Sequence, residues 1–179
     1  MSGTGSSRGN PSMGDIVRSV ALLGAILLAL FLLGRFLTVT PDEPTRPVDY
    51  RSAVESSRTV ADFDLLAPTS LPPGWRATSV RFEQDSWHLG VVTANDEYVG
   101  LEQVTADPDR AVERFAKGSH STGAAVVGGE TWSLHSGPGD DLTYVRRDTG
   151  QAGGGMTILV TGTAPRQVME DYISSLSPS

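Results

Sequence analysis

Residues 71–104 read LPPGWRATSVRFEQDSWHLGVVTANDEYVGLEQV, and this stretch decides the fold. Leu71-Pro72-Pro73-Gly74 is a turn that launches a strand, because proline presets one turn dihedral and glycine supplies the left-handed one. From 75 to 83 side chains alternate, with Thr78, Val80 and Phe82 opposite Ala77, Ser79, Arg81 and Glu83. A period of two marks a strand with one face on a core. Residues 87–93 form a second strand, Ala94-Asn95-Asp96 a hairpin turn, and 97–104 a third strand. Asp107-Pro108 then pairs a helix N-cap with a first-turn proline. The helix that follows sets Val112, Phe115 and Ala116 on one face.

The same order recurs downstream. Strands are expected over 130–135, 142–147 and 156–161, separated by a Gly/Pro/Asp loop at 137–141 and a glycine-rich turn at 150–155. The 156–161 strand is nearly all apolar, which suits a central position in a sheet. Thr163-Ala164-Pro165 opens a last helix whose Val168, Met169, Tyr172 and Leu176 form a stripe. Upstream, 49–62 reads as a helix through Tyr50, Val54 and Ala61. The expected fold class is α+β: an N-terminal transmembrane helix, then an antiparallel sheet domain with order helix, three strands, helix, three strands, helix. The residues of the two runs do not align, so duplication and chance repetition of a topology both stay open.

The membrane assignment rests on 19–34, an uncharged and almost wholly apolar run. Its sixteen residues give about 24 Å of helix, short of the roughly 30 Å hydrocarbon core. Arg18 and Arg35 sit where long stems can snorkel to the headgroups, and Phe36 to Val39 continue the apolar character. The span is therefore placed at 16–39. A cleaved signal peptide would need small residues at its exit, whereas 34–40 reads GRFLTVT. Before the span, 1–15 is a Ser/Gly/Pro-rich tail expected to be disordered and cytoplasmic. After it, 40–47 carries three prolines and reads as a spacer, and 48–179 is the extracytoplasmic domain. The positive-inside count is even, two arginines on each side, so the topology follows from the short tail staying inside.

Composition narrows the function classes. The chain has 179 residues, 14 basic and 21 acidic, for a net charge of -7. Removing Asp15 and Arg8, Arg18 and Arg35 leaves 20 acidic against 11 basic residues from 41 onward, a net of -9. A nucleic-acid binder needs a basic face, and this domain lacks one. The absence of cysteine removes disulfides, thiolate nucleophiles, Cys-ligated zinc and iron–sulfur clusters.

Four segments occur in order: Val48-Asp49-Tyr50, Leu71-Pro72-Pro73-Gly74-Trp75-Arg76-Ala77-Thr78-Ser79, Gly100-Leu101-Glu102-Gln103 and Thr161-Gly162-Thr163-Ala164. Together with the apolar run they resemble the actinobacterial membrane-anchored family called domain of unknown function 4245. The resemblance covers nearly the whole chain. It implies an N-terminal anchor and an envelope-facing domain at the cell membrane, and it brings no catalytic or binding residue.

Candidate chemistry is sparse. His88, His120 and His135 are the only histidines, and none has a metal-ligand spacing. A Ser–His–carboxylate set is assembled in space and leaves no local trace, and no Gly-x-Ser-x-Gly elbow is present. Asp140-Asp141 and Asp107-x-Asp109 read as turn and cap chemistry, not as a calcium loop. Gly153-Gly154-Gly155 lacks the Lys-Ser/Thr of a phosphate loop and precedes a strand. Glu102 and Gln103 read as edge-polar residues. Trp75, Trp87 and Trp132 are the candidate ligand-stacking set, each near a strand start where a large ring also serves a small core. No cofactor, metal or catalytic residue is expected. The function that follows is a non-catalytic binding or scaffolding module of the cell envelope, with an envelope protein or a lipid-linked molecule as partner. The alternative is a hydrolase-like envelope enzyme with a spatially assembled site.

Overall fold

In the computed structural model the described residues are 13–37, 48–139, 141–148 and 155–178, with the side chains at 13, 15, 19 and 29–37 outside the description. The elements in chain order are α1 (Met13–Leu37), α2 (Tyr50–Arg58), β1 (Ala67–Pro68), β2 (Arg76–Glu83), β3 (Ser86–Val92) and β4 (Tyr98–Val104). Then follow α3 (Pro108–Phe115), β5 (His120–Val127), β6 (Glu130–Ser136), β7 (Leu142–Asp148), β8 (Met156–Gly162), α4 (Arg166–Ser175) and β9 (Leu176–Ser177). The chain divides into two units, Met1–Pro44 and Thr45–Ser179.

In the first unit α1 has 25 residues, about 37 Å of helix at 1.5 Å per residue. Among the described residues no helix is long and apolar enough to cross a membrane. The span expected at 16–39 runs past that description: the side chains at 29–37 and all of 38–39 lie outside it. Where α1 side chains are described, Ile16, Val17, Val20, Leu22, Leu23, Ile26, Leu27 and Leu28 are exposed. The tail at 1–12, the spacer at 40–47, Asp140 and Gly153-Gly154 also lie outside the described residues.

The second unit is α+β, built on one seven-stranded antiparallel sheet in the order β2-β3-β4-β8-β7-β6-β5. Each run of strands starts at an edge and works inward, and the runs meet where β4 pairs with β8. The apolar β8 is the middle strand of the seven. The expected order of three strands in each run is corrected: the second run has four, and a two-stranded ladder of β1 and β9 is added. The missed strand, β5, is an edge with sequence HSTGAAVV and mostly exposed side chains. With only Ala125 and Val127 reaching the core, it carries too little alternation to read. Ladder β1–β9 is too short to leave a pattern at all.

Local chemistry explains the joints. Thr93 N–H donates to the Glu97 carbonyl at 2.8 Å, and Asp96 takes a φ of 61° in the turn between β3 and β4. Asp107 caps α3 by accepting from the Arg110 N–H at 3.1 Å, with Pro108 in the first turn. A bulge between Ala77 and Ser79 shifts the register of β2, so Ala77 shares the core face with Val80 and Phe82.

The sheet has two unlike faces. On the first, Leu89, Leu101, Val160 and Tyr144 form one cross-sheet row, covered by Tyr50 and Val54 of α2, the 63–67 segment, and Met169, Tyr172 and Ile173 of α4. On the second, α3 packs on Val104, Val145 and Leu159. The rest of that face presents the rows Ser79–Gly90–Gly100–Thr161–Thr143 and Arg81–His88–Glu102. The edge-polar reading of Glu102 and Gln103 is also corrected, because β4 lies inside the sheet and both residues are buried. Each has a partner from elsewhere. Gln103 Oε1 accepts from the Leu66 N–H at 2.7 Å and its Nε2 donates to the Asp64 carbonyl at 3.1 Å, while Glu102 is held by His88.

Candidate functional site

The three tryptophans do not converge. Trp87 is 0% exposed, and its indole N–H donates to the Leu66 carbonyl at 3.0 Å. Trp132 is 3% exposed, donates to the Val127 carbonyl at 3.3 Å, and carries the Arg146 guanidinium 5.3 Å from its ring centroid. Trp75 is half-buried and stacks on Tyr172 of α4, with centroids 6.1 Å apart and planes 16° apart. Trp75 and Trp132 line separate recesses that share no residue.

The recess at Trp75 is a groove of about 270 Å³. The turn that positions it is closed by Trp75 N–H donating to the Pro72 carbonyl at 3.1 Å, and Gly74 takes a φ of 81°. α4 supplies Val168, Asp171, Tyr172 and Ser175, the i, i+3, i+4 and i+7 positions of one helix face. Asp171 is exposed at the rim, where its carboxylate accepts from Gln167 Nε2 at 2.9 Å. Beneath it the Tyr172 hydroxyl is buried without a hydrogen-bond partner among the described residues, and burial pushes its phenol far up.

The second face of the sheet holds a linear relay that no sequence motif announces. Ser79 Oγ lies 2.8 Å from His88 Nε2, and His88 Nδ1 lies 2.5 Å from Glu102 Oε1. The His88 and Glu102 side chains are only 16% and 12% exposed. Next to them Gly90 and Gly100 leave a bare strip covered by Tyr98. A Cβ on Gly90 would collide with Ser79 Oγ and stand 3.0 Å from the Tyr98 hydroxyl. A Cβ on Gly100 would stand 2.8 Å from the same hydroxyl. Burial, and then the Glu102 charge, raise the Tyr98 phenol above its ordinary value.

One signal for this relay was present in the chain. A hairpin centred on Asn95 places His88 opposite Glu102, and each is a polar intrusion in an apolar strand. Ser79 gave no such signal, because it stands opposite Gly90 and its bond to His88 runs diagonally across the ladder. His120 lies exposed on β5, while His135 falls on the second face, opposite Thr143. Among the described residues no three His, Asp or Glu side chains gather as a metal site.

The buried phenols predict an alkaline transition. Burial pushes Tyr144 up to about 12, with its hydrogen bond to Glu170 adding to the effect, and burial also raises Tyr98 and Tyr172. The unfolded chain releases these protons near the ordinary 10.0, whereas the folded chain retains them. The stability they contribute is therefore complete below that value and is lost as pH rises through about 12. Urea midpoints should fall across this window, in step with a delayed rise of phenolate absorbance.

The fold and its decoration define a class: an α+β unit on a seven-stranded antiparallel sheet, following a separate N-terminal helical unit. The family described as protein of unknown function (DUF4245) matches residues 8–176, and the chain belongs to that family. No curated protein matches the chain. Among solved structures, a chain of the Pseudomonas aeruginosa MucA/MucB complex is similar at 17% identity and a TM-score of 0.39, covering 64% of this chain and 35% of that one. A chain from MucB in complex with MucA(peri) is similar at 18% identity and a TM-score of 0.38, covering 64% and 37%. This chain thus spans about a third of the length of the solved chains it matches. Likenesses this loose say nothing about activity or partner.

Proposed function

We propose that the protein is a single-pass, membrane-anchored binding module whose C-terminal unit is held outside the cytoplasm and grips a protein partner by a basic side chain. The observation that carries this reading is the groove at Trp75. Two stacked aromatic rings form its wall and Asp171 stands at its rim. Aromatic faces with an adjacent carboxylate suit a guanidinium or ammonium group. The net charge of -9 from 41 onward favours the same kind of partner by long-range attraction.

Anchoring is supported by the uncharged run at 19–34 and by the exposed apolar side chains of α1. The proposed layout is a cytoplasmic tail at 1–15, an anchor at 16–39, a spacer at 40–47 and the binding unit at 48–179. Eight spacer residues reach about 25 Å when extended at ~3.1 Å each, which keeps the unit within reach of neighbouring membrane proteins. Tethering raises local concentration, so a weak groove suffices.

The test is a photo-crosslinking residue at Ser175 of the full chain in cells, with Glu113 on α3 as the control position. Ser175 should give a protein-sized adduct that disappears in Asp171→Arg, and Glu113 should give none. No adduct, or one indifferent to Asp171→Arg, overturns the reading. A lipid-sized adduct alone would replace the protein partner with a lipid-linked one.

A further inference from the structure

We propose that the open second face carries a serine nucleophile, Ser79, which hydrolyses small carboxylic esters with His88 as its base. This goes beyond the binding reading and does not rest on it. The relay residues sit on the opposite side of the sheet from Trp87, Leu101 and Gln103, and so from α4 and its groove.

The hydrogen-bond chain fixes the roles. With Glu102 Oε1 accepting at 2.5 Å, the relay takes the tautomer that carries the proton on His88 Nδ1. That leaves the Nε2 lone pair facing Ser79 at 2.8 Å, with the hydroxyl donating to it. Nucleophile, base and orienting acid thus stand in the sequence that acyl transfer needs, and three adjacent strands hold them instead of loops. Glu102 is a positioning residue, since it acts through His88.

The Ser79 hydroxyl and the Tyr98 ring fill the place above Gly90, where even a Cβ would collide, so an acyl group has to reach Ser79 Oγ from beside the Tyr98 ring. The Ser79 and Tyr98 hydroxyls both close over Gly90 and so stand near one another. A carbonyl carbon attacked by Oγ can therefore turn its oxygen toward the Tyr98 O–H. Because burial favours the protonated phenol, Tyr98 is available as a donor to the developing oxyanion. Because the Tyr98 ring crowds the approach to Ser79, the fitting substrates are short acyl esters rather than long chains.

The reaction balances without a co-reactant other than water. The Ser79 O–H adds to the ester carbonyl and its proton passes to His88 Nε2. The C–O bond breaks, the alkoxide takes that proton and leaves as alcohol, and the acyl group remains on Ser79. Water repeats the addition, again giving its proton to His88, and releases the carboxylic acid as Ser79 is restored.

The experiment treats the full chain in detergent with an alkyl fluorophosphonate and follows intact mass and peptide mapping. One adduct per chain is expected, at Ser79. It should be absent in Ser79→Ala and form about a hundredfold more slowly in His88→Asn, the scale of a lost general base. Tyr98→Phe should retain the adduct yet slow turnover of a p-nitrophenyl acetate substrate. Glu102→Gln preserves shape and should still slow labelling, which guards against a variant that merely unfolds. No adduct on the folded wild-type chain, adducts spread over other serines, or equal rates in folded His88→Asn would show the relay to be only a strut between strands and overturn the proposal.

Discussion

Replacing Trp87 with alanine is expected to lower the unfolding free energy by about 3–5 kcal/mol, the range for an aromatic side chain removed from a sealed core. Trp87 is 0% exposed and stands between Phe82 and Gln103 in the ladder. Its loss opens a cavity and also leaves the Leu66 carbonyl without the indole N–H that it accepts at 3.0 Å. The 63–67 segment is pinned twice, once by Trp87 and once by Gln103, and covers the sheet through Phe63, Leu65 and Leu66. Trp87→Phe keeps most of the ring volume and loses the N–H, so its cost should be nearer 1–3 kcal/mol, the penalty of one orphaned buried acceptor. Urea midpoints of the two variants separate packing from hydrogen bonding. Equal losses would mean that the hydrogen bond dominates.

Gly162→Ala is expected to be the second most damaging single change, at about 1–3 kcal/mol or more, the cost of forcing atoms into a packed interior. Gly162 closes β8 opposite Val99. A Cβ there would stand against the Tyr98 carbonyl oxygen, with the Val99 Cα 3.1 Å away, and both are backbone that no rotamer change can clear. The same carbonyl accepts from the Thr163 N–H at 3.0 Å, so relief would pull apart the junction of the two strand runs. Gly90→Ala makes a useful contrast. Its clash is with the Ser79 hydroxyl and the Tyr98 ring, which are side chains, so stability should suffer less while fluorophosphonate labelling at Ser79 is lost.

The hairpin of β3 and β4 was legible because its turn residues fix the register. That register already set His88 against Glu102, although nothing local said that they would bond. β8 declared itself by an apolar run that only a strand covered on both faces can bury. Other features depend on contacts distant in sequence. Gln103 looks like an edge residue until the 64–66 segment, 37 positions from it at Leu66, satisfies its amide. β5 faces too little core to alternate. The bulge at Thr78 put Ala77 on the core face against the alternation, and left Ser79 on the other face with Arg81 as the alternation has it. The tryptophans were legible as large rings near strand starts, whereas which of them is sealed depends on where α4 and the 63–67 segment pack.

Because the chain contains no cysteine, a single introduced thiol reports its own surroundings. The most direct measurement is paired labelling of Ser175→Cys and Glu113→Cys, in the full-length chain, by a membrane-impermeant maleimide in intact cells, followed by fractionation. A tethered, exported binding module predicts that both thiols react without lysis and that the labelled protein sediments with membranes. It also predicts that the groove thiol at 175 reacts more slowly in cells than the thiol at 113, a difference that vanishes in the purified chain. Labelling of both thiols only after permeabilisation, recovery in the soluble fraction, or equal rates at the two positions in cells would contradict it.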